Sequence, residues 1–176
     1  MTDFGDLVDR VRKHYVEQFE DFVEKQKKIC TVGAAEVKLG GVDGVFKASY
    51  CVDFLSNDGQ LKLIELVPDR YLSFDRLVAE CGRMTLQVAD LRWDDIVIDH
   101  DVDVLPADAV EAWFGRWYGS DTQKTNMIHS LLIEPRCLSI DLGTAPSEAL
   151  FDMIDLLEKA GVKALQIRAG RARVLN

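Results

Sequence analysis

The spacing of apolar residues predicts a long amphipathic helix over Asp3 to Lys28. Phe4, Leu7, Val8, Val11, Tyr15, Phe19 and Phe22 fall on one stripe, and Ile29 extends it. At about 100° per residue they stay within an arc of roughly 120°. Lys25, Lys27 and Lys28 stand in the last turn, where cations complement the helix dipole. Such a helix measures about 37 Å at 1.5 Å per residue, as long as a domain of this size is wide. A stripe of that length predicts a homodimer formed through this helix, with Phe19 and Phe22 at the contact.

Beyond the helix the apolar period shortens toward two. Strands are expected near Ala34 to Leu39, over Val45 to Leu55 and over Leu61 to Val67, the last two joined by the turn Ser56-Asn57-Asp58-Gly59. Ser73 is suited to cap a short helix carrying Phe74, Leu77, Val78 and Cys81 at i, i+3, i+4 and i+7, stopped by Gly82. Met84 to Val88 alternates as a half-buried strand, and another strand is expected over Asp95 to Val104. Pro106 opens a helix with Val110, Trp113, Phe114, Trp117 and Tyr118 on one face, closed by Gly119-Ser120-Asp121. A hairpin follows, Met127 to Ile133 and Cys137 to Leu142, turning at Glu134-Pro135-Arg136. Thr144 or Ser147 then caps a helix with Leu150, Met153, Ile154 and Leu157 inward, Gly161 ends it, and Lys163 to Ala169 is the final strand.

These elements predict one α+β domain over residues 1–176: a largely antiparallel sheet of six or seven strands, helices mainly on one face, and a long N-terminal helix. They also suggest an internal repeat of two ββαβ units of the ferredoxin-like kind, over residues 45–89 and 127–169. Phe74-Asp75 recurs as Phe151-Asp152, Cys81-Gly82 as Ala160-Gly161, and Leu86-Gln87-Val88 as Leu165-Gln166-Ile167. The stretch Leu138 to Ala169, with an aspartate-ending strand, a helix closing in Lys159-Ala160-Gly161-Val162 and a following strand, resembles the soluble domains of the ExbD/TolR type. The resemblance implies a strand–helix–strand unit and carries no function over.

Composition narrows the function classes. Of 176 residues 48% are hydrophobic and 29% charged, enough apolar surface for a core without a disulfide or metal. A net charge of −9 repels nucleic acid and anionic lipid, so neither is expected as a partner. No run approaches the roughly 18 apolar residues of a membrane span, and the acidic Met1 to Asp9 is unlike a secretory signal. Cys30, Cys51, Cys81 and Cys137 are scattered, without CxxC or CxxH spacing, as suits free thiols in a cytoplasmic protein. No cofactor fingerprint is present, and none is expected.

Candidate chemistry centres on Asp99-His100-Asp101-Val102-Asp103. A calcium loop needs Gly at its sixth position and Glu at its twelfth, where Val104 and Val110 stand. As a strand, the segment sets His100 on the apolar face and the three aspartates on the other. His129 also falls on an apolar strand face. Buried, hydrogen-bonded histidines and a solvated acidic face are the default. If the strands are neighbours, His100, His129 and Asp99 or Asp101 make an acid–base pair or a metal-assisted hydrolase. Trp113, Arg116 and Trp117 are candidates for a ligand pocket, although aromatics at helical spacing most often form core. With no catalytic motif matched, a non-catalytic binding or interaction protein acting as a homodimer is the first reading, and the small enzyme the second.

Overall fold

The period-two stretches become strands because one side of each is apolar enough to be covered by helices. The computed structural model describes residues 3–39, 50–118 and 127–170. In chain order the elements are α1 (Phe4–Ile29), β1 (Gly33–Leu39), β2 (Tyr50–Asn57), β3 (Leu61–Ile64), β4 (Leu77–Cys81), β5 (Met84–Val88), β6 (Ile96–His100), α2 (Ala107–Tyr118), β7 (Ser130–Glu134), β8 (Cys137–Asp141), α3 (Ser147–Lys159) and β9 (Ala164–Ala169). The α+β architecture is as expected. The sequence segments at 45–49 and 119–121 lie outside the described residues.

The strands form two sheets. The larger has the order β7-β8-β6-β9-β5-β4, with β5 and β9 parallel and the other neighbours antiparallel. Its segment β6-α2-β7-β8-α3-β9 is a βαββαβ unit, in which α3 carries the chain from β8 across β6 to β9. The smaller sheet sets β2 between β1 and β3. Among the described residues it joins the larger one through one strand pair, Tyr50 with Ser130.

Alternation decides which face of the large sheet is covered. Met84, Leu86, Val88, Ile96, Ile98, Leu138, Ile140, Leu165 and Ile167 are buried beneath the helices. Their neighbours Thr85, Gln87, Ser139, Gln166 and the Asp99–Arg168 ion pair (2.6 Å) occupy the opposite, more open face. Trp113 donates its indole N–H to Ala149 O at 2.9 Å and Trp117 donates to Asp152 Oδ2 at 3.2 Å, which fixes α2 on α3.

Helix α1 spends its stripe inside its own subunit. Leu7, Val8, Val11, Tyr15 and Phe19 are buried in the common core, and Phe22 and Val23 pack against it. Arg12 donates to Ala145 O at 2.7 Å, Ser147 donates to Asp9, and the Phe4 ring meets Phe151 edge-on. The dimer expected from helix length assumed that one sheet was too narrow to cover both ends of the stripe. The second sheet supplies the missing width, so Phe19 and Phe22 need no other copy.

Three further expectations change. The helix expected over Ser73 to Cys81 is replaced by strand β4. Its burial alternates, with Leu77, Ala79 and Cys81 on the less exposed side, because it completes the edge of β5. Gly82, read as a helix stop, instead uses its φ of +59° in the tight turn between Cys81 and Met84. The described order across Tyr50 to Val88 is therefore four strands, whereas Ser130 to Ala169 is ββαβ; the two segments are not copies of one unit. Strand β6 stops at His100, short of Val104. Neither Thr144 nor Ser147 caps α3 with its side chain, since Pro146 holds the cap position and both hydroxyls serve tertiary contacts.

Phe19 tests this placement. Phe19→Asp should lower the free energy of unfolding by more than about 3 kcal/mol, the cost of losing a core phenylalanine before any charge is buried. Urea denaturation followed by near-UV circular dichroism reads this. An unchanged midpoint would return the stripe to the surface.

Candidate functional site

The two sheets meet around His129, whose side chain is only 1% exposed. It lies just before β7, where its backbone N–H bonds Asp141 O at 2.8 Å and its carbonyl accepts Cys51 N–H at 2.8 Å. Each ring nitrogen faces a carboxylate of the small sheet. Nε2 lies 3.0 Å from Glu36 Oε1 in a hydrogen bond. Nδ1 lies 2.9 Å from Asp53 Oδ1, but its N–H is not directed at that oxygen, so the contact is ionic. Asp141 Oδ1 of β8 is 3.9 Å from Nδ1. The Phe19 ring closes one side, 5.7 Å from the imidazole.

The register explains why the acids converge. Ala35 pairs with Phe54 and Val37 with Val52, which sets Glu36 level with Asp53. Phe54 pairs with Ile64, and one residue further along Glu65 falls level with Asp53. Three carboxylates thus stand abreast, on β1, on β2 and just past the end of β3, an arrangement that like charge disfavours. Glu36 reaches the ring from a left-handed backbone (φ +51°), which costs a non-glycine residue on the order of 1–2 kcal/mol. Its carboxylate also accepts a hydrogen bond from the Thr144 hydroxyl. Leu66 N–H donates to Asp53 Oδ2 at 2.6 Å, and Gly143 N–H to Asp141 Oδ1 at 2.9 Å. Gly143 has no room for a side chain: a Cβ there would stand 2.2 Å from the imidazole, at φ +50°.

These surroundings set the charge of the ring. Burial alone would lower the His129 pKa, but Asp141 and the contacts with Asp53 and Glu36 outweigh it and raise it to about 10. The ring is an imidazolium at neutral pH. Asp141 is pushed up to about 7, first by burial and then by Asp53, with His129 opposing. Glu65 is pushed up to about 7 by burial and by Asp53. Burial, and then Asp141, Asp53, Asp94 and Glu36, raise the Tyr15 phenol well above its usual value. An imidazolium held by carboxylates on both nitrogens is a poor general base, since neither nitrogen is free to take a substrate proton. Its arrangement suits an electrostatic tie between the sheets.

The other sequence-derived candidates lie elsewhere. His100 N–H bonds Arg136 O, beside the start of β8, whereas His129 bonds Asp141 at its end. At about 3.3 Å per residue the two histidines are roughly 16 Å apart along the strand direction, so they do not converge. The His100 ring is buried, and burial lowers its pKa against the opposing pull of the Val102 backbone. Asp99 pairs with Arg168, Asp101 accepts Lys163 N–H at 3.0 Å, and Asp103 pairs with Arg136. Trp113 and Trp117 hold the α2–α3 contact, and Arg116 lies 2.9 Å from Asp152. Among the described residues no group of three His, Cys, Asp or Glu side chains is arranged to hold a metal ion. A cleft lined by Tyr15, Gln18, Arg70, Tyr71, Trp93 and Asp94 has a volume of about 10 Å³, room for one water molecule. Glu36, Asp53, Glu65 and Asp141 were not singled out by the sequence; the signal available was a carboxylate breaking each apolar strand.

No family model, curated protein or solved structure matches the chain.

The cluster makes an unusual pH dependence. The folded-state pKa of His129 lies above the unfolded value, so its stabilisation is complete below about pH 6.5 and is lost as pH rises through about 10. Asp141 and Glu65 also hold protons more tightly when folded, so their share declines between about pH 4 and 7. His129→Gln should cost about 3–5 kcal/mol at pH 6, because it leaves buried carboxylates without their counter-charge. It should also flatten the fall in stability between pH 6.5 and 10. Urea titrations across that range check both, and a wild type that grows more stable with rising pH there would contradict the reading.

Proposed function

We propose that the chain is a non-catalytic protein-interaction domain whose contact surface is one face of the small sheet. The observation that carries this is an exposed apolar group on that face. Ala34 pairs with Leu55 and Leu55 with Leu63, while Asn57 pairs with Leu61 and donates its N–H to Val32 O. Residues level across a sheet share a face, so Val32, Ala34, Leu55, Leu61 and Leu63 lie together. Val32 is 56% exposed, Leu61 65% and Leu63 49%. Scattered exposed apolar residues need no explanation; a group spanning three strands marks a contact surface.

The order β9-β6-β8-β7 with α2 and α3 supports a ferredoxin-like reading of this part, and such a fold supports many unrelated functions. The surface, and not the fold, carries the function. The alternative, a metal-assisted hydrolase or acid–base enzyme, finds less support, because His129 is enclosed by carboxylates and His100 stands far from it. Helices too short or too polar to cross a membrane are the only ones among the described residues.

Photo-crosslinking in the source cells tests the reading. Leu63→p-benzoylphenylalanine should give a discrete protein adduct, while the same change at Val104, which is 81% exposed and outside this face, should not. Leu63→Asp, an exposed change, should abolish competition for that adduct and alter stability by no more than about 0.5 kcal/mol. Absence of an adduct at Leu63 contradicts the proposal.

A further inference from the structure

From the charge around this face and the open edge beside it, we infer that its occupant is an extended acidic segment of another protein, with alternate apolar residues, that adds as a strand to β3. The inference rests on the interaction reading above and names the partner's chemistry.

Strand β3 pairs with β2 on one side, and among the described residues no strand pairs with its other side. Its four residues, Leu61 to Ile64, thus offer backbone donors and acceptors at an edge. A strand added there would continue the sheet, and its alternate side chains would extend the apolar face at Leu61 and Leu63. A helix would bury the apolar group but leave the edge groups unpaired.

Charge selects the partner. The chain carries −9 overall, yet residues 25–34 and 55–64 hold four lysines (Lys25, Lys27, Lys28 and Lys62) and one acid, Asp58, while the exposed Glu65 that follows β3 turns toward Asp53. All four lysines are exposed. The Asp58 carboxylate is turned onto the Thr31 and Val32 N–H groups at 2.8–3.0 Å, which ties the end of α1 to the β2–β3 turn. The three lysines that close α1 are thereby held near the β2–β3 turn, at one end of the face. Such a basic rim on an acidic protein attracts an acidic segment and speeds its encounter. A second copy meeting this face with its own would set one basic rim against another, and like charge disfavours that contact.

Fluorescence anisotropy with synthetic eight-residue peptides tests this on the full chain. The probes are an alternating Val/Glu peptide, an alternating Val/Lys peptide, and the Val/Glu peptide with a central proline. The Val/Glu peptide should bind saturably, and more weakly as salt is raised. Leu63→Asp should weaken it at least tenfold, and Lys27→Glu with Lys28→Glu should weaken it several-fold, with circular dichroism unchanged. The proline peptide should bind at least tenfold more weakly, because proline removes a ladder N–H. Equal binding of the Val/Lys peptide, indifference to Leu63→Asp, or no saturable Val/Glu binding overturns the proposal. So does concentration-dependent dimerisation abolished by Leu63→Asp, which would make the occupant a second copy. Failure of the peptide alongside a crosslinked adduct at Leu63 would reject the partner chemistry and leave the interaction reading standing. Failure of both would reject each.

Discussion

The imidazolium of His129 lets two sheets that share, among the described residues, one strand pair, Tyr50 with Ser130, behave as one structure. Without a positive charge, Glu36, Asp53 and Asp141 would meet in a poorly hydrated space with no counter-ion. With it, acids from β1, β2 and β8 are drawn to one ring, and the small sheet is held to the large one by charge as well as by packing. The backbone is shaped around this ring: Gly143 makes room for it, and Glu36 adopts a left-handed conformation beside it. Such a tie is demanding rather than simply stabilising. Buried ions gain little over an apolar contact of the same shape, yet removing one partner is severe. The cluster therefore specifies where the small sheet sits more than it raises total stability.

That placement connects the interior to the proposed surface. Asp53 and Leu55 are two residues apart on β2, so the face that turns acids toward His129 at one end carries Leu55, Leu61 and Leu63 at the other. The small sheet is anchored at its polar end and open at its apolar end. Helix α1 lies across both sheets, with Phe19 against His129 and the residues that follow it, Thr31 and Val32, tied to Asp58. A shift of the small sheet would disturb the ion cluster, the core stripe of α1 and the basic rim together.

Much of the fold was legible because its strongest signals are local. The α1 stripe, the helix after Pro106, the hairpin at Glu134-Pro135-Arg136 and the final strand–helix–strand all carry their period and their stops within a short window. The segment Phe74 to Cys81 was not, because Leu77, Val78 and Cys81 satisfy a helical spacing while Leu77, Ala79 and Cys81 satisfy a strand; the free edge of β5 decides between them. Gly82 could not arbitrate, since a positive φ serves a helix stop and a hairpin turn equally. The site was legible only in part. His129 was identified as a histidine on an apolar face, but its partners are separated from it by up to 93 residues and converge through register, which composition does not reveal. Thr144 and Ser147 look like caps locally, and only the arrival of Glu36 and Asp9 shows their use. His100 and His129 share an apolar setting but sit at opposite ends of β8.

The charge on His129 is the central claim, and nitrogen-15 NMR of the ring reads it directly. Across pH 6 to 9 both ring nitrogens of His129 should keep the shifts of a doubly protonated imidazolium, with deprotonation only near pH 10. A neutral tautomer at pH 7.5, with one unprotonated nitrogen, would contradict the account.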